Sequence, residues 1–290
     1  MNSAGSIAPV DELSEGQRQA LLTLLGDEDP AVYRLIRDKI VALGPAAADW
    51  LRPYTLSRDA AIRRRAQQIV IHFDRQAADT RFLTFCVKHG QDLDLEHGAW
   101  LLAQTRYPDI NVDAYQAMLD SYARDLCERI PRLSKPLEKL ATINDYLFSE
   151  LGFTGNEEEY YDPDNSYLNR VIDRRTGNPI NVCLFYILIA RRLKLPVTGI
   201  GLPGHFVCRY QSTSDEVYVD AFGRGKFLTK ADCVQYLVHG NYSLNDDYLT
   251  PVTSRRMLLR ICINLHQIYV HQGVDEEVTR FQRYLVALGR

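Results

Sequence analysis

A histidine and an aspartate in the second half of the chain could carry out acid–base chemistry. His205 opens the second of several predicted short strands, and Asp220 ends the third. On neighbouring strands, an aspartate can accept from one ring nitrogen of a histidine and fix its tautomer, while the other nitrogen takes a proton from a nucleophile. His205 and Asp220 are therefore candidates for these two roles. The alternative is that His205, within Pro-Gly-His-Phe, only caps a turn.

A helix predicted just before these strands must position the pair. Asn178 suits the cap of this helix, and Pro179 suits its first position, where a missing N–H costs nothing. The helix is predicted to run to about Lys194 and to be buried, because most of its side chains are apolar. Strands are predicted after it at residues 197–200, 205–210, 216–220 and 227–228. A nucleophile at the helix start would gain from the helix dipole, which favours a thiolate.

The residues before this helix, 156–178, form a long polar segment without a sustained period. Such connections are uncommon inside compact domains unless they have a function. Six polar side chains here and at the helix start are candidates for binding a ligand: Asn165, Tyr167, Asn169, Arg174, Arg175 and Asn181. The two arginines can clamp a carboxylate or phosphate bidentately. The alternative is that these side chains anchor an irregular loop, because buried backbone groups need partners.

The rest of the chain is predicted to be helical. Apolar residues at three- and four-residue spacing predict helices at 13–25, 30–43, 46–51, 60–73, 96–104, 112–130, 135–151, 230–238, 254–272 and 275–288. The acidic turn before residue 30 is weakly similar to the turn before residue 60. Such an internal repeat is typical of a pair of HEAT-type repeats. Arg63, Arg64 and Arg65 are predicted to form one solvated helix face. The last two helices are similar to a tetratricopeptide-like hairpin.

Composition and charge argue against several classes of protein. Apolar residues make up 46% of the chain and charged residues 24%, as in ordinary globular domains, and the net charge of −3 gives no general attraction to nucleic acid or membrane. The longest apolar run, 180–190, is too short to cross a bilayer, and residues 1–10 do not resemble a secretory signal. The six cysteines contain no Cys-x-x-Cys pair. We therefore expect a cytoplasmic protein without metal or cofactor, which binds neither nucleic acid nor membrane directly.

Three blocks around the predicted buried helix resemble one family. They are Asn-Ser-Tyr-Leu-Asn-Arg-Val-Ile-Asp-Arg-Arg-Thr-Gly-Asn-Pro-Ile at 165–180, Ile-Ala-Arg-Arg-Leu-Lys-Leu-Pro-Val at 189–197 and Gly-Leu-Pro-Gly-His-Phe at 201–206. These blocks are similar to the signature of the bacterial SirB-type proteins, which belong to the transglutaminase-like, papain-related superfamily. The resemblance covers roughly Leu93 to the C-terminus, including the terminal helical hairpin.

This resemblance implies roles for individual residues. Active transglutaminase-like enzymes carry a cysteine near the start of the buried helix, a histidine that opens a strand and an aspartate on the next strand. His205 and Asp220 match the last two. The cysteine position falls on Pro179, which has no nucleophile. Cys183, four residues later on the same helical face, is the alternative nucleophile, unless it only packs in the apolar helix.

The sequence therefore predicts an α+β protein that is mostly helical, with a transglutaminase-like core and a small antiparallel sheet. The expected domains are a HEAT-like region at 1–91, the core at 92–250 and a tetratricopeptide-like hairpin at 251–290. The first functional hypothesis is a degenerate, non-catalytic module that binds a protein or peptide partner and acts in regulation. The alternative is a hydrolase or acyl transferase in which Cys183 attacks, His205 is the general base and Asp220 orients it.

Overall fold

The computed structural model describes residues 13–131, 133–242 and 245–289. By packing, these residues form two compact units. One contains residues 13–80 with Thr105–Pro108, and the other contains Arg81–Gln104 and the chain from Asp109 onward. The C-terminal hairpin lies in the same unit as the predicted core. The three domains proposed from the sequence stay a prediction.

The first unit is helical where it is described. Its helices are α1 (Glu15–Leu25), α2 (Pro30–Ala42), α3 (Ala46–Leu51) and the first part of α4 (Ala60–Lys88). Their apolar stripes meet in one core that includes Leu25, Ile40 and Ile69. Arg65 is buried against this core rather than solvated, because its guanidinium donates to the carbonyls of Leu25 and Asp27.

The remaining helices follow the predicted pattern with changed boundaries, except the one at Leu168–Arg174, which lies in the polar segment where no helix was predicted. They are α5 (Leu95–Arg106), α6 (Val112–Arg129), α7 (Pro136–Asn144), α8 (Leu168–Arg174), α9 (Pro179–Arg192), α10 (Lys230–His239), α11 (Ser254–Gln272) and α12 (Asp275–Leu288). The helix predicted at 60–73 continues to Lys88, since no glycine or proline interrupts residues 60–88. The helix predicted at 135–151 is α-helical only to Asn144 and continues as a π-helical turn, Asp145–Glu150. No helix in the described part of the chain has both the length and the apolar composition needed to cross a membrane.

Two small sheets complete the second unit. In the first, β1 (Thr154–Gly155) pairs in parallel with β2 (Thr176–Gly177). The second contains β3 (Val197–Ile200), β4 (Val207–Gln211), β5 (Glu216–Asp220) and β6 (Lys226–Leu228), antiparallel and in sequential order. These elements confirm the predicted α+β class, mostly helical with a small antiparallel sheet. One boundary was wrong: β4 begins at Val207, so His205 lies in the turn before the strand instead of opening it.

Helix α9 forms the centre of the second unit. Asn178 caps it as predicted, with its side chain accepting from the backbone N–H of Asn181 at 3.0 Å, and Pro179 occupies the first helical position. All residues from 179 to 190 are buried. This confirms the buried helix that the sequence predicted.

Arg255, near the start of α11, joins two helix ends within the second unit. Its buried guanidinium donates to the carbonyls of Cys86 and His89 at the end of α4 and to those of Ala287 and Leu288 at the end of α12, at 2.5–2.8 Å. The last carbonyls of a helix have no intrahelical donor, and a cation also complements the negative end of the helix dipole. One side chain therefore provides hydrogen-bond donors to the last carbonyl groups of two helices.

Arg255→Ala should lower the free energy of unfolding by about 3 kcal/mol, because it leaves several carbonyls without a donor in the interior. Arg255→Lys should recover little of this loss, since one ammonium group cannot reproduce the fork of the guanidinium. The matched control is Arg256→Ala on the exposed face of the same helix, for which we expect a change below about 0.5 kcal/mol. Urea unfolding followed by circular dichroism measures the free energy of unfolding of each variant. Equal losses for Arg255→Ala and Arg256→Ala would contradict the role assigned to Arg255.

Candidate functional site

The structure brings His205 and Asp220 together. Nε2 of His205 lies 3.1 Å from Oδ1 of Asp220, and only 17% and 18% of the two side chains are exposed. The two residues come from the turn before β4 and from the end of β5, which are adjacent antiparallel strands. The structure therefore contains the pair that the sequence predicted, although His205 lies in a turn and not on a strand.

That turn is shaped by a glycine and two tyrosines. Gly204 has a φ of 72°, in the left-handed region that glycine adopts without strain. A Cβ at this position would lie 3.4 Å from the hydroxyls of both Tyr236 and Tyr242. The Tyr236 hydroxyl donates to the carbonyl of Pro203 at 3.0 Å, and the Tyr236 ring lies 5.9 Å from the imidazole of His205. These contacts fix the orientation of the His205 side chain.

The carboxyl group of Asp220 is held in its ionised form. Burial raises its pKa, but the hydrogen bond and charge of His205, with the backbone N–H groups of Gly223 and Phe222, outweigh burial, and the pKa lies below its ordinary value. The N–H of Gly223 donates to Oδ1 at 3.0 Å. Asp220 can therefore orient the imidazole and balance a positive charge on it.

A pocket of about 610 Å³ opens beside His205. One part of its wall consists of the start of α9 (Asn178, Pro179 and Ile180) with residues 204–206, and α11 supplies another part. The volume falls in the usual range of small-molecule and peptide-side-chain sites. Among the residues that the structure describes, no three histidine, cysteine or carboxylate side chains gather as a metal site requires.

Pro179 and Cys183 differ in their access to this pocket. Pro179 lines it together with His205. Cys183 is fully buried, and its Sγ donates to the carbonyl of Phe206 at 3.4 Å. Burial raises the pKa of the Cys183 thiol well above its ordinary value, and neighbouring Cys208 and Asp220 raise it further. The structure thus places a proline, which has no nucleophilic group, at the pocket and the Cys183 thiol in the core.

The candidate binding residues of the polar segment have partners within the protein. Asn165 is buried, and its amide group donates to the carbonyls of Glu159 and Tyr160. Arg174 pairs with the carboxylates of Asp162 and Glu159. Arg175 donates to the carbonyl of Leu151 at 2.7 Å. These contacts agree with the alternative interpretation, in which the polar side chains anchor an irregular loop.

The other three candidates, Tyr167, Asn169 and Asn181, are buried. The hydroxyl of Tyr167 lies 3.1 Å from that of Tyr269 on α11, and Asn181 donates to the carbonyl of Ser166 at 2.8 Å. Asn169 is 2% exposed. Within the described chain, none of the six candidates lines the pocket. A ligand-binding role for them stays a prediction.

Sequence reasoning missed the contribution of α11. Arg260, Asn264, Gln267 and His271 line the pocket from this helix, and Tyr160 and Tyr161 line it from the polar segment. A signal was available, because these four polar residues recur at intervals of three or four along the helix and therefore share one face. The helix was interpreted only as half of a hairpin.

The family model described as transglutaminase-like superfamily matches residues 113–263, just over half of the chain. The chain belongs to the transglutaminase-like superfamily. The matched residues run from α6 into α11. They include Pro179, His205 and Asp220, the three positions that the sequence predicts to correspond to the catalytic residues of active transglutaminase-like enzymes.

Proteins similar to this chain occur in bacteria and in animals. A UPF0162 protein of Xylella fastidiosa (strain 9a5c) is 37% identical over 196 residues, which cover 66% of this chain and 70% of that protein. UPF0162 protein PA3419 of Pseudomonas aeruginosa is 26% identical over 57% of this chain and 64% of its own length. Human F-box only protein 21 is 30% identical over 58% of this chain, but the match spans only 31% of that longer protein. No solved structure matches the chain.

The His205–Asp220 pair predicts a pH-dependent stability. Asp220→Asn should lower the free energy of unfolding by about 1–3 kcal/mol near neutral pH, since a charge-assisted hydrogen bond is lost. Because the pKa of Asp220 is lowered in the folded state, its contribution is present above the ordinary value of 3.8 and is lost as the pH falls through the folded-state pKa. The difference between variant and wild type should therefore shrink on acidification below about pH 4.

Urea unfolding at a series of pH values measures this difference. Glu158→Gln is the matched control, because it removes a carboxylate that is exposed in the polar segment. We expect a change below about 0.5 kcal/mol for the control at every pH. If the difference in free energy of unfolding between Asp220→Asn and wild type grows on acidification, the assigned ionisation of Asp220 is contradicted.

Proposed function

We propose that this chain is a SirB-type member of the superfamily that has lost the reaction and uses the remaining pocket to bind a peptide segment of a partner protein. In this proposal it is a non-catalytic, regulatory module of the cytoplasm. The observation that carries the proposal is the presence of Pro179 in the pocket wall beside an intact His205–Asp220 pair. With proline at this position, the pair has no neighbouring thiol or hydroxyl to activate for acyl transfer.

The buried thiol of Cys183 weighs against the hydrolase alternative. A nucleophilic cysteine needs a lowered pKa and access to substrate, and Cys183 has a raised pKa and no exposed surface. Its Sγ is also engaged by the carbonyl of Phe206. Catalysis by Cys183 would require α9 to rotate or shift by about one turn, which its complete burial opposes.

Two further features support a binding role. The helices that precede and follow the core resemble HEAT-like and tetratricopeptide-like repeats, and surfaces of such helices commonly recognise peptides. In human F-box only protein 21, a region similar to this chain forms about a third of a longer protein. A domain that recurs as part of a larger chain is suited to serve as a recognition module.

Replacing the proline tests whether the pocket is a former active site. In Pro179→Cys, the introduced thiol would lie at the first position of α9 in the same pocket as His205. The helix N-terminus and the imidazole both lower the pKa of a thiol. We expect iodoacetamide to alkylate this thiol at least about tenfold faster near pH 6.5 than the exposed Cys127. The variant Pro179→Cys/His205→Ala should lose most of the acceleration.

Gln267→Cys is the matched control, because it places a thiol in the same pocket on the middle of α11. Alkylation rates are read by peptide mass spectrometry. Equal rates for Pro179→Cys and Gln267→Cys would contradict a former nucleophile position at Pro179. In the wild type, fast alkylation of Cys183 that depends on His205 would overturn the proposal in favour of the hydrolase.

A further inference from the structure

Helix α11 presents a row of polar side chains to the pocket. Arg260, Asn264, Gln267 and His271 follow one another at intervals of three or four residues, so they share one face of the helix. At a rise of about 1.5 Å per residue, the row is about 16 Å long. An extended peptide advances about 3.3 Å per residue, so the row matches about five residues of such a chain.

Arg260 is the charged member of this row that lacks a counter-ion. Its guanidinium donates to the carbonyl of Leu202 at 3.1 Å, and it forms no ion pair with any carboxylate in the described ranges. A guanidinium has five N–H donors, so most of its donors remain available. Burial raises the pKa values of Tyr160 and Tyr236, and the charge of Arg260 opposes the rise in both, in agreement with a guanidinium near these phenols.

The pocket contains no side chain that would neutralise this charge. Of the described residues that line it, none is an aspartate or a glutamate. Asp220 lies behind His205, with which it is paired. A half-buried arginine without a carboxylate partner is stabilised when a ligand brings an anion to it.

The donors around Arg260 favour a carboxylate over a phosphate. Phosphate sites at helix N-termini use several free backbone N–H groups. At the start of α9, Pro179 has no N–H and the N–H of Asn181 is taken by the side chain of Asn178. A single planar guanidinium matches the two oxygens of a carboxylate.

We infer that the pocket binds an extended peptide of about five residues, whose carboxylate pairs with Arg260 and whose backbone runs along α11. The inference rests on the proposed function and names its ligand class. Asn264 and Gln267, which make no side-chain hydrogen bond within the described chain, are available to the backbone N–H and C=O groups of the peptide. Ile263 and Ile268 provide apolar contact beside them.

The test uses the full chain, immobilised, and mixtures of random pentapeptides. Four mixtures combine a free or amidated C-terminus with the presence or absence of aspartate and glutamate. We expect mixtures that carry a carboxylate to be retained at least about tenfold better at low salt than the amidated mixture without acidic residues. The amidated acidic mixture and the free-acid neutral mixture together distinguish a side-chain carboxylate from a C-terminal one.

Arg260→Gln should abolish this preference, and Arg260→Lys should keep part of it because it keeps the charge. Arg256→Gln, on the exposed face of the same helix, is the matched control and should retain peptides as the wild type does. Thermal unfolding verifies that each variant is folded. Displacement of the bound peptides by inorganic phosphate but not by acetate would overturn the inference in favour of a phosphate ligand.

The outcomes separate this inference from the proposed function. Suppose that peptides are retained without regard to their carboxylates, and that Ile263→Trp, which fills the pocket, abolishes retention. Peptide binding would then stand and the pairing with Arg260 would be wrong. If none of the four mixtures is retained, both the carboxylate inference and the peptide-binding proposal fail.

Discussion

Helix α9 has no polar face over residues 179–190, and the elements of the second unit are arranged so that every side of it is covered. Helices α6, α8 and α11 pack against it together with β3 and β4. Burial of apolar surface contributes about 25 cal/mol per Å², so an uncovered side of this helix would cost several kcal/mol. The positions of His205 and of the α11 row follow from this packing, because the strands and the C-terminal hairpin are both placed by their contact with α9.

A helix that begins in the interior must also satisfy its first N–H groups there. Asn178 accepts from the N–H of Asn181 and donates to the hydroxyl of Ser166 at 2.7 Å, and Asn181 donates to the Ser166 carbonyl. Arg174, with its carboxylate partners, holds the segment that carries Ser166. The hydrogen bonds of Ser166, Asn178 and Asn181 therefore meet the requirements of a buried helix start.

Local patterns predicted most of the helices, the antiparallel sheet and the His205–Asp220 pair, but they missed α8, the two-stranded sheet and the contacts between residues far apart in sequence. The cap at Asn178, the buried α9 and the pairing of His205 with Asp220 depend on residues close in sequence or on adjacent strands, and the sequence predicted them. Arg255 was not recognised because its acceptors in α4 lie up to 169 residues away. Arg65 was taken for a solvated residue for a similar reason, since its acceptor at Leu25 is 40 residues away. The role of Arg260 in the pocket depends likewise on which helix packs beside α9, and no local period encodes that.

The first position of a capped helix suits two different residues for related reasons. Its N–H has no intrahelical acceptor and points outward, which favours a thiolate at this site and equally tolerates proline, which has no N–H. A change from cysteine to proline would therefore remove the chemistry without disturbing α9, and Asp220 would keep its lowered pKa through His205 and the turn that follows β5. Among the described lining residues, Arg260 has no carboxylate beside it. In the peptide site that we propose, ligand selection would then depend on a side chain of α11, outside the positions that catalysis would have used.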